Sequence, residues 1–295
     1  MIKNLAIIGV GLIGGSLALA LKKAGKVEHV TGYSRSADAR EEALQLGLID
    51  TAADNITDAV KNADVVFVAV PMGAMQTVFA EIASSLQPGT IVTDGGSAKQ
   101  QVIDAAKATL GEHYTNFVPG HPIAGTERSG PSAAFAELYE AHRVVLTPTD
   151  VTNADALNTV QTMWRHCGAE VFVMDVQHHD LVLAATSHLP HVLAFNLVGM
   201  LAARDDCDEV LRYAAGGFRD FSRIASSDAV MWRDICLGNQ DAILELLRQY
   251  RVGLDKIEAA IREDNGDYLI DFFSRAKRAR DSRFAEPGLI DNSEV

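Results

Sequence analysis

Six residues near the start constrain the fold more than any others: Gly9-Val10-Gly11-Leu12-Ile13-Gly14, a G-x-G-x-x-G spacing. They close an apolar run, Leu5 to Val10, and open a helical stretch, Gly14 to Ala24. Gly9 permits a tight turn, Gly11 lets the backbone approach a bound group, and Gly14 lets helix and strand pack closely. The first N–H groups of the helix then converge where the dipole favours negative charge. That arrangement suits a pyrophosphate, so Gly9, Gly11, Leu12, Ile13 and Gly14 are expected to hold a dinucleotide.

The rest of the first half alternates short apolar runs with amphipathic stretches, as repeated strand–helix units do. Strands are expected at His29 to Tyr33, Asp64 to Val70, Thr90 to Thr93, Asn116 to Val118, Val144 to Thr147 and Glu170 to Met174. Asp64 to Val70 is almost continuously apolar and β-branched, as in a strand buried on both faces of a parallel sheet. Val70 and Pro71, at its carboxyl end, fall where such a sheet meets its cofactor. After about Met174 the pattern becomes helical: Asp175 to Thr186, His191 to Ala203, Ala229 to Arg248 and Gln249 to Glu263. The fold class is therefore α/β: a Rossmann dinucleotide-binding domain over 1–174, then an all-helical domain over 175–281. A frayed polar tail is expected over 282–295.

An NAD site would carry an acid about 20 residues beyond the glycines, on the ribose 2′-hydroxyl. The tract here is Gly32-Tyr33-Ser34-Arg35-Ser36. Ser34, Arg35 and Ser36 suit a 2′-phosphate instead, so NADP is slightly favoured over NAD.

A net charge of −13 argues against a nucleic-acid partner, since phosphate binding needs clustered Lys and Arg. Cys167, Cys207 and Cys236 are odd in number and without a CxxC, as in reduced cytoplasmic thiols. MIKNLAIIGVG reads as a strand and not a leader, and no run is read as long enough to span a membrane. His178, His179, His188 and His191 lack a matching carboxylate or cysteine ligand set, so no metal is expected. His188 reads as a helix-start or hydrogen-bonding residue, and Asp180 as a structural acid in the first turn of its helix.

Two segments fall at strand ends: Thr93-Asp94-Gly95-Gly96-Ser97-Ala98-Lys99 and Gly120-His121-Pro122-Ile123-Ala124-Gly125-Thr126-Glu127. His121, placed after the strand NFV, is positioned as an acid/base group. An unperturbed imidazole there would give an acid limb near pH 6.5. These segments, with GVGLIGGS, TSHLPHVLA and GGFRDFSRIASSDAVMW, resemble the prephenate dehydrogenases, a family that includes arogenate and cyclohexadienyl dehydrogenases. The resemblance runs from Ile2 to about Arg280.

It implies oxidative decarboxylation of prephenate to 4-hydroxyphenylpyruvate, with hydride passing to NAD(P), and a homodimer formed through the helical domain. By the same resemblance His121 is catalytic, and Ser97 orients it and the substrate hydroxyl. His191, Arg223, Thr126, Glu127 and Trp232 would bind the substrate, Arg223 through a carboxylate. The chain leaves no room for an appended regulatory domain, so tyrosine inhibition would act at the active site. An arogenate-preferring or dual cyclohexadienyl dehydrogenase is the alternative. A 3-hydroxy-acid dehydrogenase is disfavoured, because Lys256 is the sole lysine between Asp175 and Arg262. A non-enzymatic dinucleotide sensor is disfavoured by the intact His121, Ser97, His191 and Arg223.

Overall fold

The structure, a computed structural model, describes residues 1–126 and 128–284. Six parallel strands form its main sheet: β1 (Ile2–Ile8), β2 (Val27–Tyr33), β3 (Thr51–Ala52), β4 (Val65–Val68), β5 (Ile91–Asp94) and β6 (Phe117–Val118). Their order is β3-β2-β1-β4-β5-β6, so the winding reverses between β1 and β4, with Leu5 opposite Val65 and Ile8 opposite Val68. A doubly wound sheet opens a crevice at that reversal, at the carboxyl ends of its strands. The connections carry α1 (Leu12–Lys23), α2 (Ala37–Gln45), α3 (Ile56–Val60), α4 (Met75–Ala83) and α5 (Lys99–Thr109).

The two faces of the sheet bury separate cores, because each strand sends alternate side chains to opposite sides. On one face Ile7, Leu17, Leu21 and Phe67 pack with Tyr139 and Trp164. The Trp164 ring meets Phe67 and Tyr139 edge-on, with centroids 5.6 and 4.9 Å away. On the other, Ile8, Val66, Val68, Phe79, Val102 and Phe117 form the core.

A second sheet of three strands follows: β7 (Gly120–Pro122), β8 (Arg143–Leu146) and β9 (Glu170–Val173), with α6 (Ala154–His166) between the last two. Strand β7 runs antiparallel to β8 and places His121 opposite Val145. The segment that follows NFV is thus a strand of another sheet. Three residues are too short a run for alternation to reveal.

The helices that follow are α7 (Val176–Leu183), α8 (Leu189–Ala202), α9 (Cys207–Arg212), α10 (Gly216–Ser222), α11 (Ala229–Gly238), α12 (Gln240–Arg262) and α13 (Gly266–Phe284). The helix expected over Ala229 to Arg248 is broken at Asn239, which ends α11 with φ near −122°. The expected tail begins inside α13, which continues through Ser282 to Phe284; residues 285–295 lie outside the described residues.

Between α7 and α8, residues Ala184–His188 form a π turn. Pro190 accounts for it: proline has no N–H for the carbonyl four residues back, and its ring crowds that carbonyl, so the helix widens locally. The turn joins two segments that read separately in sequence into one apolar run, Val176–Ala202, of mean hydropathy 1.5. This run is long and apolar enough to cross a membrane, which corrects the expectation that no run reaches that length. It also carries His179, Asp180, His188 and His191, the polar side chains of the crevice described below.

Two compact units divide the described chain, Met1–Ile243 and the residues from Leu244. The first takes in α7 to α11, because Val176, Trp232 and Ile235 belong to the second core of the main sheet. In the second, helical ion pairs such as Arg248–Glu245 and Arg262–Glu258 lie on solvated faces.

Candidate active site

At the carboxyl end of β1 the glycines meet three different demands. Gly9 has φ of +101°, and a Cβ there would stand 2.3 Å from the Ala69 carbonyl oxygen. A Cβ on Gly14 would stand 2.3 Å from the Gly9 oxygen and 2.7 Å from Ile7. Gly11 is uncrowded: the nearest atom to its missing Cβ is the Gly130 nitrogen at 4.0 Å. Gly11 caps α1 without a side-chain hydrogen bond, and no acid occupies the first turn. The N–H groups that open this helix are left for an anion, so the residues fit a pyrophosphate.

Leu12 and Ile13 pack half-buried on the core, and the Ile13 carbonyl accepts from Tyr139 at 2.6 Å. Val70 stands beside Gly9, its Cγ1 3.3 Å from that missing Cβ, and Pro71 follows exposed. The Ser34 hydroxyl accepts from Val10 N at 3.0 Å, and the Ser36 hydroxyl caps α2 through Ala39 N. Both serines therefore have local structural duties. Arg35 is exposed, while Arg40, which sequence reasoning missed, donates to the Ser34 carbonyl at 2.7 Å and lies over the Tyr33 ring.

His121 is 8% exposed and follows Gly120, which packs against Asp94 at the carboxyl end of β5. Its Nδ1 is 2.9 Å from His179 Nε2, and His179 Nδ1 is 2.8 Å from Asp180 Oδ1. Asp180 also accepts from Lys99 N at 2.8 Å and Gln100 N at 3.0 Å, at the start of α5. The acid expected to serve its own helix thus lies inside α7 and caps α5 instead. Burial pushes its carboxyl up, but the His179 bond and the two backbone N–H groups outweigh this and hold it below the usual range.

Lys99 is fully buried, with Nζ 2.5 Å from Asp94 Oδ2 and 2.6 Å from the Gly120 carbonyl. Asp94 also accepts from Gly120 N at 3.1 Å, which ties the residue before His121 to β5. Burial lowers the pKa of His121 well below 6.5, and the neighbouring His179, Lys99 and His188 add to the shift. The acid limb expected near 6.5 moves down accordingly.

Ser97 lies half-buried in the loop between β5 and α5 and makes no hydrogen bond to His121; His179 takes the Nδ1 position. His191 on α8 donates Nδ1–H to the Ser187 carbonyl at 2.9 Å and stacks on Trp232, with centroids 3.8 Å apart and planes 21° apart. Burial lowers its pKa, the Ser187 bond opposes this, and the positive charge of Arg223 lowers it further. Arg223 sits exposed on a 3-10 turn, Arg223–Ser226.

Trp232 is 7% exposed, and its Nε1 is enclosed without a partner among the described residues, as is Nε2 of His188. His188 Nδ1 meets Asn239 Nδ2 at 3.2 Å, the hydrogen-bonding role expected of it. Thr126 is exposed, accepting from Arg128 N, and Glu127 lies outside the described residues. Among the described residues no group of three or more His, Cys, Asp or Glu side chains is placed to hold a metal.

The nucleotide-binding domain of prephenate dehydrogenase matches residues 17–173, and its dimerization domain matches 175–275. The chain belongs to the prephenate dehydrogenase family. The first match begins after the glycine-rich turn, so the reading of that turn rests on its own geometry. A cyclohexadienyl dehydrogenase of Zymomonas mobilis is 42% identical over 94% of this chain and 95% of its own length. A prephenate dehydrogenase of Bacillus subtilis is 37% identical over 94% of this chain and 75% of its own length. Among solved structures, prephenate dehydrogenase from Aquifex aeolicus, in complex with hydroxyphenyl propionate and NAD+, superposes with a TM-score of 0.88 at 34% identity. It covers 95% of this chain and 98% of the other. Like its relatives in this family, the chain is an oxidoreductase with a nicotinamide dinucleotide site.

Sequence reasoning named His121, His191 and Trp232 but did not foresee the hydrogen bonds of His179, Asp180, Lys99 and Asn239. The HHD triplet was the available signal. Only the fold reveals that its last two residues reach 58 and 81 positions back, to His121 and Lys99.

Proposed function

We propose that this chain oxidatively decarboxylates prephenate to 4-hydroxyphenylpyruvate, with NADP slightly favoured over NAD. The observation that carries the reading is His121: a buried imidazole with Nδ1 engaged by His179 and Nε2 without a hydrogen bond among the described residues, in a chain whose glycine turn suits a dinucleotide. When bound, the dinucleotide supplies a hydride acceptor.

His121 Nε2 accepts the proton of the ring hydroxyl as hydride leaves its carbon, then returns it to the oxygen as carbon dioxide departs and the ring aromatises. A depressed pKa keeps that nitrogen unprotonated at neutral pH. Ser97 orients the substrate hydroxyl, and Arg223 pairs with a substrate carboxylate. His191 and Trp232 form a stacked wall, and Thr126 and Glu127 flank the mouth. Exposed Arg35, with Arg40 beside it, supports 2′-phosphate recognition; Ser34 and Ser36 assist through the same loop.

Residues 1–174 form the cofactor domain and 175–281 the substrate and dimerisation region. Exposed apolar side chains at Met200, Ile261, Ile270 and Phe273 support a homodimer. The free cysteines suit a cytoplasmic setting.

Reduced-nicotinamide absorbance tests the reading, with prephenate and each dinucleotide in parallel. Growth of the band with prephenate, faster with NADP, is expected. Growth with arogenate alone would move the substrate to the amino form, and silence with both would overturn the activity.

A further inference from the structure

We propose that His179 and Asp180 are positioning residues that fix the tautomer of His121 and so make Nε2 the basic nitrogen. The inference deepens the proposed reaction and rests on His121 being its proton acceptor. It follows from the direction in which three hydrogen bonds must run.

The carboxylate of Asp180 is ionised, because a backbone N–H donates to each of its oxygens, Lys99 N to Oδ1 and Gln100 N to Oδ2. An ionised carboxylate only accepts, so the proton on His179 must be on Nδ1. Burial keeps His179 neutral by lowering its pKa, which leaves its Nε2 with a lone pair and no hydrogen. That lone pair faces His121 Nδ1 at 2.9 Å, so the proton of His121 must be on Nδ1. His121 Nε2 is then the unprotonated nitrogen. It makes no hydrogen bond among the described residues, and it is not one of the enclosed polar atoms.

The opposite tautomer would present an N–H to the substrate hydroxyl and could not take its proton. An isolated neutral imidazole populates both forms, so without a partner part of the His121 population would carry its proton on Nε2. The frame around the relay is itself held. The Asp180 carbonyl accepts from Asn239 Nδ2 at 2.7 Å, and Lys99 spans from Asp180 through its backbone to Asp94 and Gly120 through its ammonium. Charged or titratable groups on every packed element are therefore Lys99 on α5, Asp94 on β5, His179 and Asp180 on α7, and His188 in the π turn. Protonation of His179 at low pH would reverse the chain, turning its Nε2 into a donor and forcing His121 to carry its proton on Nε2.

Nitrogen-15 NMR of the histidine-labelled full chain tests this without substrate, with His121→Asn identifying the signal. The expected result is a protonated Nδ1 and an unprotonated Nε2 at neutral pH; a protonated Nε2 with a bare Nδ1 would overturn the proposal. His179→Leu should show both tautomers and lower kcat about 100-fold, with KM for the dinucleotide within about twofold. His179→Gln, which keeps an acceptor, should recover part of kcat. A His179→Leu enzyme with unaltered kcat and acid limb would also overturn it. If the leucine variant does not fold, the wild-type spectrum alone decides. Failure of the wild type to reduce either dinucleotide would count against the reaction while leaving the tautomer measurement intact.

Discussion

The two walls of the crevice are built by different means. Around Gly9 to Gly14 the geometry is made almost entirely of backbone: a positive φ, a carbonyl too near for a Cβ, and the open end of one helix. Around His121 it is made of side chains from four elements, linked by hydrogen bonds that span 58, 80 and 81 positions. The first wall can be written in six consecutive residues. The second exists only once the chain has folded, and it depends on protonation as the first does not.

Substitution should separate the two walls. His121→Asn should keep dinucleotide binding and lower kcat by about 10²–10⁴, since only proton transfer is removed. The acid limb of kcat/KM, which lies below 6.5 in the wild type because burial and neighbouring charges depress His121, should vanish with it. A limb that survives belongs to another group. Acid should also weaken the fold. His188 sits at about 4 in the folded chain, so its unfolded form takes up a proton first as pH falls below 6.5. The resulting loss is about 3 kcal/mol between neutral pH and pH 4, absent at higher pH where both states are neutral. Denaturant melts in which His188→Asn has the same pH slope as wild type would remove this assignment.

Gly14→Ala tests the backbone wall. Its methyl would meet the Gly9 oxygen, costing about 1–3 kcal/mol of stability with a loss of dinucleotide affinity. If titration calorimetry finds unchanged affinity, the turn is looser than its contacts require. Arg223→Ala should raise KM for prephenate about 10- to 100-fold, the loss of one charge-assisted hydrogen bond, with kcat nearly kept. An unchanged KM would place the carboxylate partner elsewhere.

The contrast also explains what the sequence could reveal. The parallel sheet and the glycine turn were legible because alternating patterns and G-x-G-x-x-G are local. His191 and Trp232 were named through resemblance, but their stacking was not foreseen. Asp180 was read for its own helix, whereas it serves α5; nothing within a few residues of it points to Lys99. Asn239 looked like the interior of a long helix, yet it ends α11 and binds both Asp180 and His188. Val176–Ala202 was divided between Thr186 and His191, and only the π turn makes it one run.

That turn has a consequence for tolerance to change in chain length. Each α-helical residue advances the azimuth by about 100°, so the extra residue absorbed at Ala184–His188 sets the angular phase of everything after it. Removing one residue there would be a rotation rather than a shortening. His191 would swing away from Trp232 while Asp180, on α7, kept its bonds to the start of α5, separating His191 from His179.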